Sequence, residues 1–133
     1  MIAPDTSVLV AAFALWHEHH GVARRALNGA QLIAHSILET YSVLTRLPPP
    51  HRVSARVAAD FLTQFTTSPP LVLDATVMGA LPRRLAESGI TGGVTYDALI
   101  AASAVKSGAE VVSLDVRATM TYRVLGARYR LLV

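Results

Sequence analysis

The stretch MIAPDTSVLV, residues 1–10, contains the signals that decide the fold of this chain. Its first apolar run ends at Asp5–Ser7, three residues whose side chains commonly cap the start of a helix. An apolar run with helical spacing follows over Val8–Leu15. We therefore predict a short strand over Met1–Pro4 that leads directly into a helix, with Asp5 at the turn between them.

The same alternation of strand-like and helix-like segments continues to the end of the chain. Further strands are predicted at 31–34, 71–73, 111–114 and 129–133. Helical patterns are predicted at 18–27, from 36 to just before 48, and at 54–64, 74–88, 96–107 and 117–125. This alternation argues for an α/β fold with a mostly parallel sheet and helices on both faces. The 133 residues suit a single domain, 1–133, with no linker or repeat.

Composition excludes several kinds of protein. The absence of cysteine excludes disulfides, zinc–thiolate sites and thiol nucleophiles. No apolar run reaches the ~18 residues of a membrane span, so we expect a soluble, cytoplasmic protein. Only 16% of the residues are charged, which predicts an apolar surface patch for a dimer or partner. The net charge of +3 comes mainly from arginine, which suits phosphate binding and is equally explained by codon bias.

Four carboxylates that are far apart in the sequence occupy equivalent places in the predicted topology. Each lies where a strand-like run ends or a helix begins: Asp5, Glu39, Asp97 and Asp115. The carboxyl ends of parallel strands and the first turns of the following helices meet at one edge of a sheet. Carboxylates that converge there repel one another unless a cation lies between them. Oxygen ligands favour Mg²⁺ or Mn²⁺, and Mg²⁺ sites commonly include phosphate oxygens, so the pattern predicts phosphoryl chemistry.

Each of these acids also has a purely structural explanation. Glu39 follows Ser36 at the spacing of a capping box, and Asp97, Asp115 and Asp74 could each cap a helix. Taken singly, capping is the simpler explanation. The shared position of four acids at one predicted sheet edge is what favours a functional site.

Several segments resemble the PIN-domain ribonucleases, especially the VapC-type toxins of bacterial and archaeal toxin–antitoxin pairs. The matching segments are DTSVLV at 5–10, Glu39 after the second predicted strand, YDALIAA at 96–102 and Leu114-Asp115. The closing stretch Thr121-Tyr122-Arg123 with Leu125-Gly126 is also similar to many members. The resemblance covers nearly the whole chain, and the order and spacing of its motifs are specific as a set.

This resemblance implies a three-layer α/β/α sandwich that acts as a Mg²⁺- or Mn²⁺-dependent endoribonuclease toxin. Metal-activated water would hydrolyse RNA and leave 5′-phosphate and 3′-hydroxyl ends. The implied catalytic and metal-binding residues are Asp5, Glu39, Asp97 and Asp115, and the implied substrate contacts are Thr6, Ser7 and Arg117. Many members have a further acid just after the position of Asp115, where this chain has Val116, so the number of metal ions stays open.

The resemblance also implies three partners, which are an RNA substrate, a small cognate antitoxin and a second copy in a homodimer. The helices on either side of the Pro48–Pro50 break offer candidate groove walls for an antitoxin helix, namely Val43, Leu47, Val57 and Phe61. Burial of these residues on the sheet is the competing explanation. Tyr96 and Trp16 are candidates for stacking on RNA bases, although core or interface packing is the simpler explanation for Trp16. His35 is either a substrate contact near Glu39 or a loop residue.

One alternative function remains open from the residues themselves. Capping alone explains each acid, so the chain could be a catalytically inactive PIN-like module that binds RNA or another protein. Divalent-metal binding that depends on Asp97 separates this alternative from the enzyme.

Overall fold

Three parallel strands form the central sheet of the protein. In the computed structural model, which describes residues 1–133, they are β1 (Ile2–Pro4), β2 (Glu110–Ser113) and β3 (Tyr129–Leu131). Their order in the sheet is β1-β2-β3, so β2 is central although it comes late in the chain. The order of these strands places the carboxyl ends of β1 and β2 side by side.

Seven helices surround this sheet. They are α1 (Thr6–Phe13), α2 (His20–Ala26), α3 (Ala34–Thr45), α4 (Ala55–Phe65), α5 (Ala75–Glu87), α6 (Val94–Ser107) and α7 (Ala118–Val124). Every predicted helix is present, with bounds that differ by a few residues. The sequence signals located a helix end well where a side chain or a glycine itself forms the cap. Gly108, for example, ends α6 in the left-handed conformation, as its position after the helical pattern predicts.

The two faces of the sheet carry separate apolar cores. Val111 of β2 belongs to a cluster with side chains from α5, α6 and α7, whereas its neighbour Val112 belongs to a cluster with α1, α2 and α4. Successive residues of a strand point to opposite faces, so one strand supplies both cores. The predicted α/β/α sandwich with helices on both faces is therefore confirmed.

Two of the predicted strands are wrong. Residues 31–34 and 71–73 form a single parallel bridge, between Ile33 and Leu71, at the β1 side of the sheet. The backbone N–H of Gln31 donates to the carbonyl of Ile2 at 2.9 Å, which extends the edge without a full strand. The first segment is cut short because α3 already begins at Ala34, and the second follows two prolines that have no N–H to donate.

None of the seven helices combines the length and the apolar character needed to cross a bilayer. The cytoplasmic location stays a prediction.

Candidate metal centre

A cavity of about 170 Å³ opens at the edge of the sheet where β1 and β2 end. Four carboxylates line it, each from a different segment: Asp5, Glu39, Asp97 and Asp115. Asp5 follows β1 directly, and Asp115 lies two residues beyond β2. Glu39 is on α3 and Asp97 is in the first turn of α6. The fold thus brings together the four acids that the sequence singles out.

Asp5 is the most firmly held of these acids. Its side chain is buried, and one carboxylate oxygen accepts hydrogen bonds from the Ser7 hydroxyl and from the Val8 backbone N–H at 3.3 Å. The other oxygen accepts a hydrogen bond from the Tyr122 hydroxyl at 2.7 Å. Asp5 is also the N-cap of α1, so its structural and candidate functional roles coincide.

Burial is the main cause of the pKa shifts of Asp5 and of Tyr122, which donates a hydrogen bond to it. Desolvation raises the pKa of Asp5, while neighbouring hydroxyl groups, chiefly those of Ser113 and Ser7, act in the opposite direction. Desolvation and the nearby Asp5 carboxylate raise the pKa of Tyr122 far above its ordinary value. The Tyr122 phenol therefore stays protonated at neutral pH and donates its hydrogen bond to Asp5.

Asp97 is in a different electrostatic situation. Burial, followed by repulsion from the carboxylates of Asp115, Glu39 and Asp5, raises the pKa of Asp97 to about 6. His35 acts weakly in the opposite direction. The three neighbouring acids therefore place Asp97 in a negatively charged environment. A cation bound among these acids would lower the electrostatic free energy of the site.

Glu39 is positioned by a histidine at the rim of the cavity. His35 lies one helical turn before it on α3, and the His35 Nε2 to Glu39 Oε2 distance is 3.1 Å. The His35 ring stacks on Tyr96 with a centroid separation of 5.1 Å and an interplanar angle of 8°. His35 is therefore not a free loop residue, because it connects the acid to an aromatic side chain.

Asp115 is held by local backbone contacts. Its Oδ1 accepts the Arg117 backbone N–H at 2.9 Å, and its own N–H donates to the Ser113 hydroxyl at 2.9 Å. The Arg117 side chain is exposed and does not line the cavity. The predicted substrate contact of Arg117 stays a prediction.

Thr6 and Ser7 both line the cavity, but their hydroxyls differ. The Ser7 hydroxyl donates to Asp5 and accepts the Leu114 N–H at 2.9 Å, so it fastens the end of β1 to the end of β2. The Thr6 hydroxyl is buried without a hydrogen-bond partner. Of the two hydroxyls, that of Thr6 is therefore the one whose hydrogen-bonding capacity is unused.

Of the predicted helix caps, that of Asp74 is confirmed, whereas the Ser36–Glu39 capping box and the Asp97 cap are wrong. Asp74 does cap α5, where it accepts the Val77 N–H at 2.8 Å. The capping box of Ser36 and Glu39 is wrong, because α3 begins at Ala34 and places Ser36 inside the helix, buried and unpartnered. Asp97 is not an N-cap either, since Gly93 occupies that position. Capping thus leaves Glu39 and Asp97 unexplained.

The donor set suits a hard divalent cation. Every polar side chain that lines the cavity offers oxygen, which is the ligand type of Mg²⁺ and Mn²⁺, and the unpartnered Thr6 hydroxyl adds a neutral oxygen. No three of the acids are yet close enough together to enclose an ion. Repulsion from the other acids contributes, after burial, to the raised pKa of Asp97, and such repulsion opposes a closer approach of the carboxylates without a cation.

Tyr122 is the site residue that sequence reasoning missed. Its side chain is fully buried and contacts Asp5 across a separation of 117 residues. The only available signal was its place in the closing stretch Thr121-Tyr122-Arg123, which resembles the PIN-domain ribonucleases.

The fold and the carboxylate cavity together define a PIN domain. The family model for the PIN domain matches residues 2–123, so the chain belongs to this family. Among its members the chain is of the VapC type. It is 55% identical to Ribonuclease VapC40 of Mycobacterium tuberculosis over 123 residues, which cover 92% of each protein. It is 42% identical to Ribonuclease VapC27 of the same organism over 127 residues, 94% of this chain and 92% of the relative.

Two solved structures share the fold at low sequence identity. A chain in the structure of FitAB bound to an IR36 DNA fragment superposes with a TM-score of 0.71 at 18% identity, covering 99% of this chain and 95% of that one. PAE2754 from Pyrobaculum aerophilum superposes with a TM-score of 0.61 at 24% identity, covering 96% of this chain and 89% of that one.

Proposed function

We propose that the protein is a metal-dependent endoribonuclease that acts as the toxin of a toxin–antitoxin pair. The observation that carries the proposal is the convergence of four carboxylates on one cavity, in a chain of the VapC type. The names of its relatives support RNA as the substrate class.

Asp5, Asp97, Asp115 and Glu39 would hold Mg²⁺ or Mn²⁺, and the number of ions stays open. When bound, such an ion supplies charge neutralisation at the scissile phosphate and acidifies a water molecule. Asp5 is the ligand that is already oriented, because Tyr122 and Ser7 fix its carboxylate. Protons compete with the metal at Asp97 because its pKa is raised, so metal binding should weaken below about pH 6.

We further propose an antitoxin and a second copy of the chain as protein partners. The four predicted groove walls differ in burial: Phe61 is buried against Phe13 and Phe65, Val57 is half exposed, and Val43 and Leu47 are partly buried. An apolar cleft does lie between α3 and α4, but on the side lined by Leu38 and Tyr41. An amphipathic antitoxin helix would use that cleft.

The direct test is cleavage of a mixed RNA substrate by the purified chain with Mg²⁺ or Mn²⁺ and with EDTA. We expect cleavage by wild type only in the presence of metal, with 5′-phosphate and 3′-hydroxyl product ends. Asp97→Asn should be inactive, while Asp60→Asn, which neutralises an exposed acid on α4, should cleave like wild type.

Two results would count against this function. Cleavage that survives EDTA or Asp97→Asn would indicate a contaminant or another mechanism. No cleavage, together with no Mn²⁺-dependent thermal stabilisation, would favour the inactive module, which the wide spacing of the acids already makes the second candidate.

A further inference from the structure

Tyr96 occupies a prominent place beside the carboxylate cavity. It directly precedes Asp97 in the first turn of α6, so the two Cα atoms are about 3.8 Å apart. Its side chain is 52% exposed, although large aromatic residues usually bury most of their surface. The folded chain therefore leaves an aromatic ring at the rim of the cavity without covering it.

The ring of Tyr96 is supported from one side. His35 stacks against it almost in parallel, at 8°, and His35 is itself held by Glu39 at 3.1 Å. Two side chains thus fix the orientation of an exposed ring, and one of them belongs to the cavity. A ring that is oriented in advance loses little conformational freedom when a flat ligand stacks on it.

The space next to Tyr96 suits a flat, mainly apolar ligand. Tyr96 lines a cleft of about 410 Å³ between α5 and α6, whose walls are largely apolar. The hydroxyl-bearing residues Thr91 and Thr95 line the same cleft and could meet the polar edge of such a ligand. Neighbouring residues of α6 line the two spaces, Tyr96 the cleft and Asp97 the carboxylate cavity.

We propose that Tyr96, supported by His35, is a stacking platform for an unpaired nucleobase of the RNA next to the phosphodiester in the carboxylate cavity. This inference rests on the proposed function. A base has an apolar face and a polar edge, which suit the cleft, and an unpaired base reaches the ring without the cost of breaking a base pair. A nucleobase is favoured over a second copy because the ring adjoins Asp97 of the carboxylate cavity, where the proposed function places the RNA backbone.

The test measures binding without cleavage. Short fluorescent single-stranded RNAs, one intact and a series with one abasic position each, are titrated against the full chain with Asp97→Asn as the parent. Three further variants are made in that parent: Tyr96→Ala, Tyr96→Phe and, as a control on the same helix, Val105→Ala. Val105 is an exposed apolar residue of α6, but it lines neither the cleft nor the carboxylate cavity.

We expect Tyr96→Ala to raise the Kd for intact RNA by about 5- to 150-fold, the range for loss of one base–aromatic stack. Tyr96→Phe and Val105→Ala should bind like the parent. One abasic RNA should bind the parent as weakly as intact RNA binds Tyr96→Ala. That abasic RNA should bind Tyr96→Ala with the same Kd, because the two changes remove the same contact. Far-ultraviolet circular dichroism of each variant verifies that the fold is retained.

The platform would be overturned if the losses of binding from Tyr96→Ala and from the abasic position were additive. An unchanged Kd for Tyr96→Ala, or no binding of any RNA to the parent, would also overturn it. So would a wild-type oligomer that Tyr96→Ala dissociates in sedimentation, since the ring would then be covered by a second copy. The proposed ribonuclease activity fails separately, because wild type can cleave RNA without the platform. If the two losses of binding are non-additive but the wild-type chain never cleaves RNA, the platform is retained as part of an inactive module.

Discussion

The two walls of the carboxylate cavity hold their acids in opposite ways. On the sheet wall, Asp5 is buried and accepts hydrogen bonds from Ser7, Val8 and Tyr122. On the helix wall, Asp97 has no such donors and is exposed to repulsion from the other acids. Under the proposed metal-dependent function, Asp5 would be a ligand that is fixed in advance, whereas Asp97 would be a ligand that adjusts when a cation neutralises it.

The strongest way to break this comparison is to remove each acid in turn. Asp5→Ala leaves the buried Tyr122 hydroxyl without its acceptor and removes the cap of α1, so the free energy of unfolding should fall by about 2–4 kcal/mol. Asp97→Ala removes only repulsion in the metal-free chain and should leave that free energy unchanged or raise it. Urea unfolding in EDTA measures both.

Both of these variants should be inactive, so stability alone separates the two walls. Asp60→Ala provides the baseline for removing an exposed acid. Equal destabilisation by Asp5→Ala and Asp97→Ala would mean that the walls are not built differently.

The hydrogen bond from Tyr122 to Asp5 gives a sharper test. Tyr122→Phe keeps the buried ring but no longer fixes the carboxylate, and loss of such an orienting partner typically weakens metal binding about 10- to 100-fold. We expect that weakening in a Mn²⁺ titration followed by thermal unfolding. Tyr129→Phe is the matched control, because its ring packs near Tyr122 at 6.3 Å while its hydroxyl bonds only Arg123.

A Tyr122→Phe chain that is less stable yet binds Mn²⁺ as wild type does would show that Tyr122 is only a core residue. Equal weakening in Tyr129→Phe would point to a general loosening of the core.

The contrast between the walls also explains what the sequence could and could not predict. The convergence of Asp5 and Asp115 follows from strand ends in a parallel sheet, which local patterns reveal. The partner of Asp5 is 117 residues away in a helix whose pattern reads only as apolar packing, so no local signal gave it a role. The Ser36 signal was misleading because a capping box requires Ser36 to lie just before the first helical residue, whereas α3 begins at Ala34, three residues before Ile37.

The helix wall finally predicts how the stability of the metal-free chain depends on pH. The pKa of Asp97 is about 6 in the folded chain against 3.8 as its ordinary value, so between these values the folded state binds more protons than the unfolded state. Stability should therefore fall as pH rises through this window, by about 1–2 kcal/mol after discounting for solvent screening. Urea unfolding in EDTA at the two ends of the window measures the fall. Asp97→Asn should reduce it, Asp60→Asn should not, and a fall of equal size in all three chains would assign the effect to other groups.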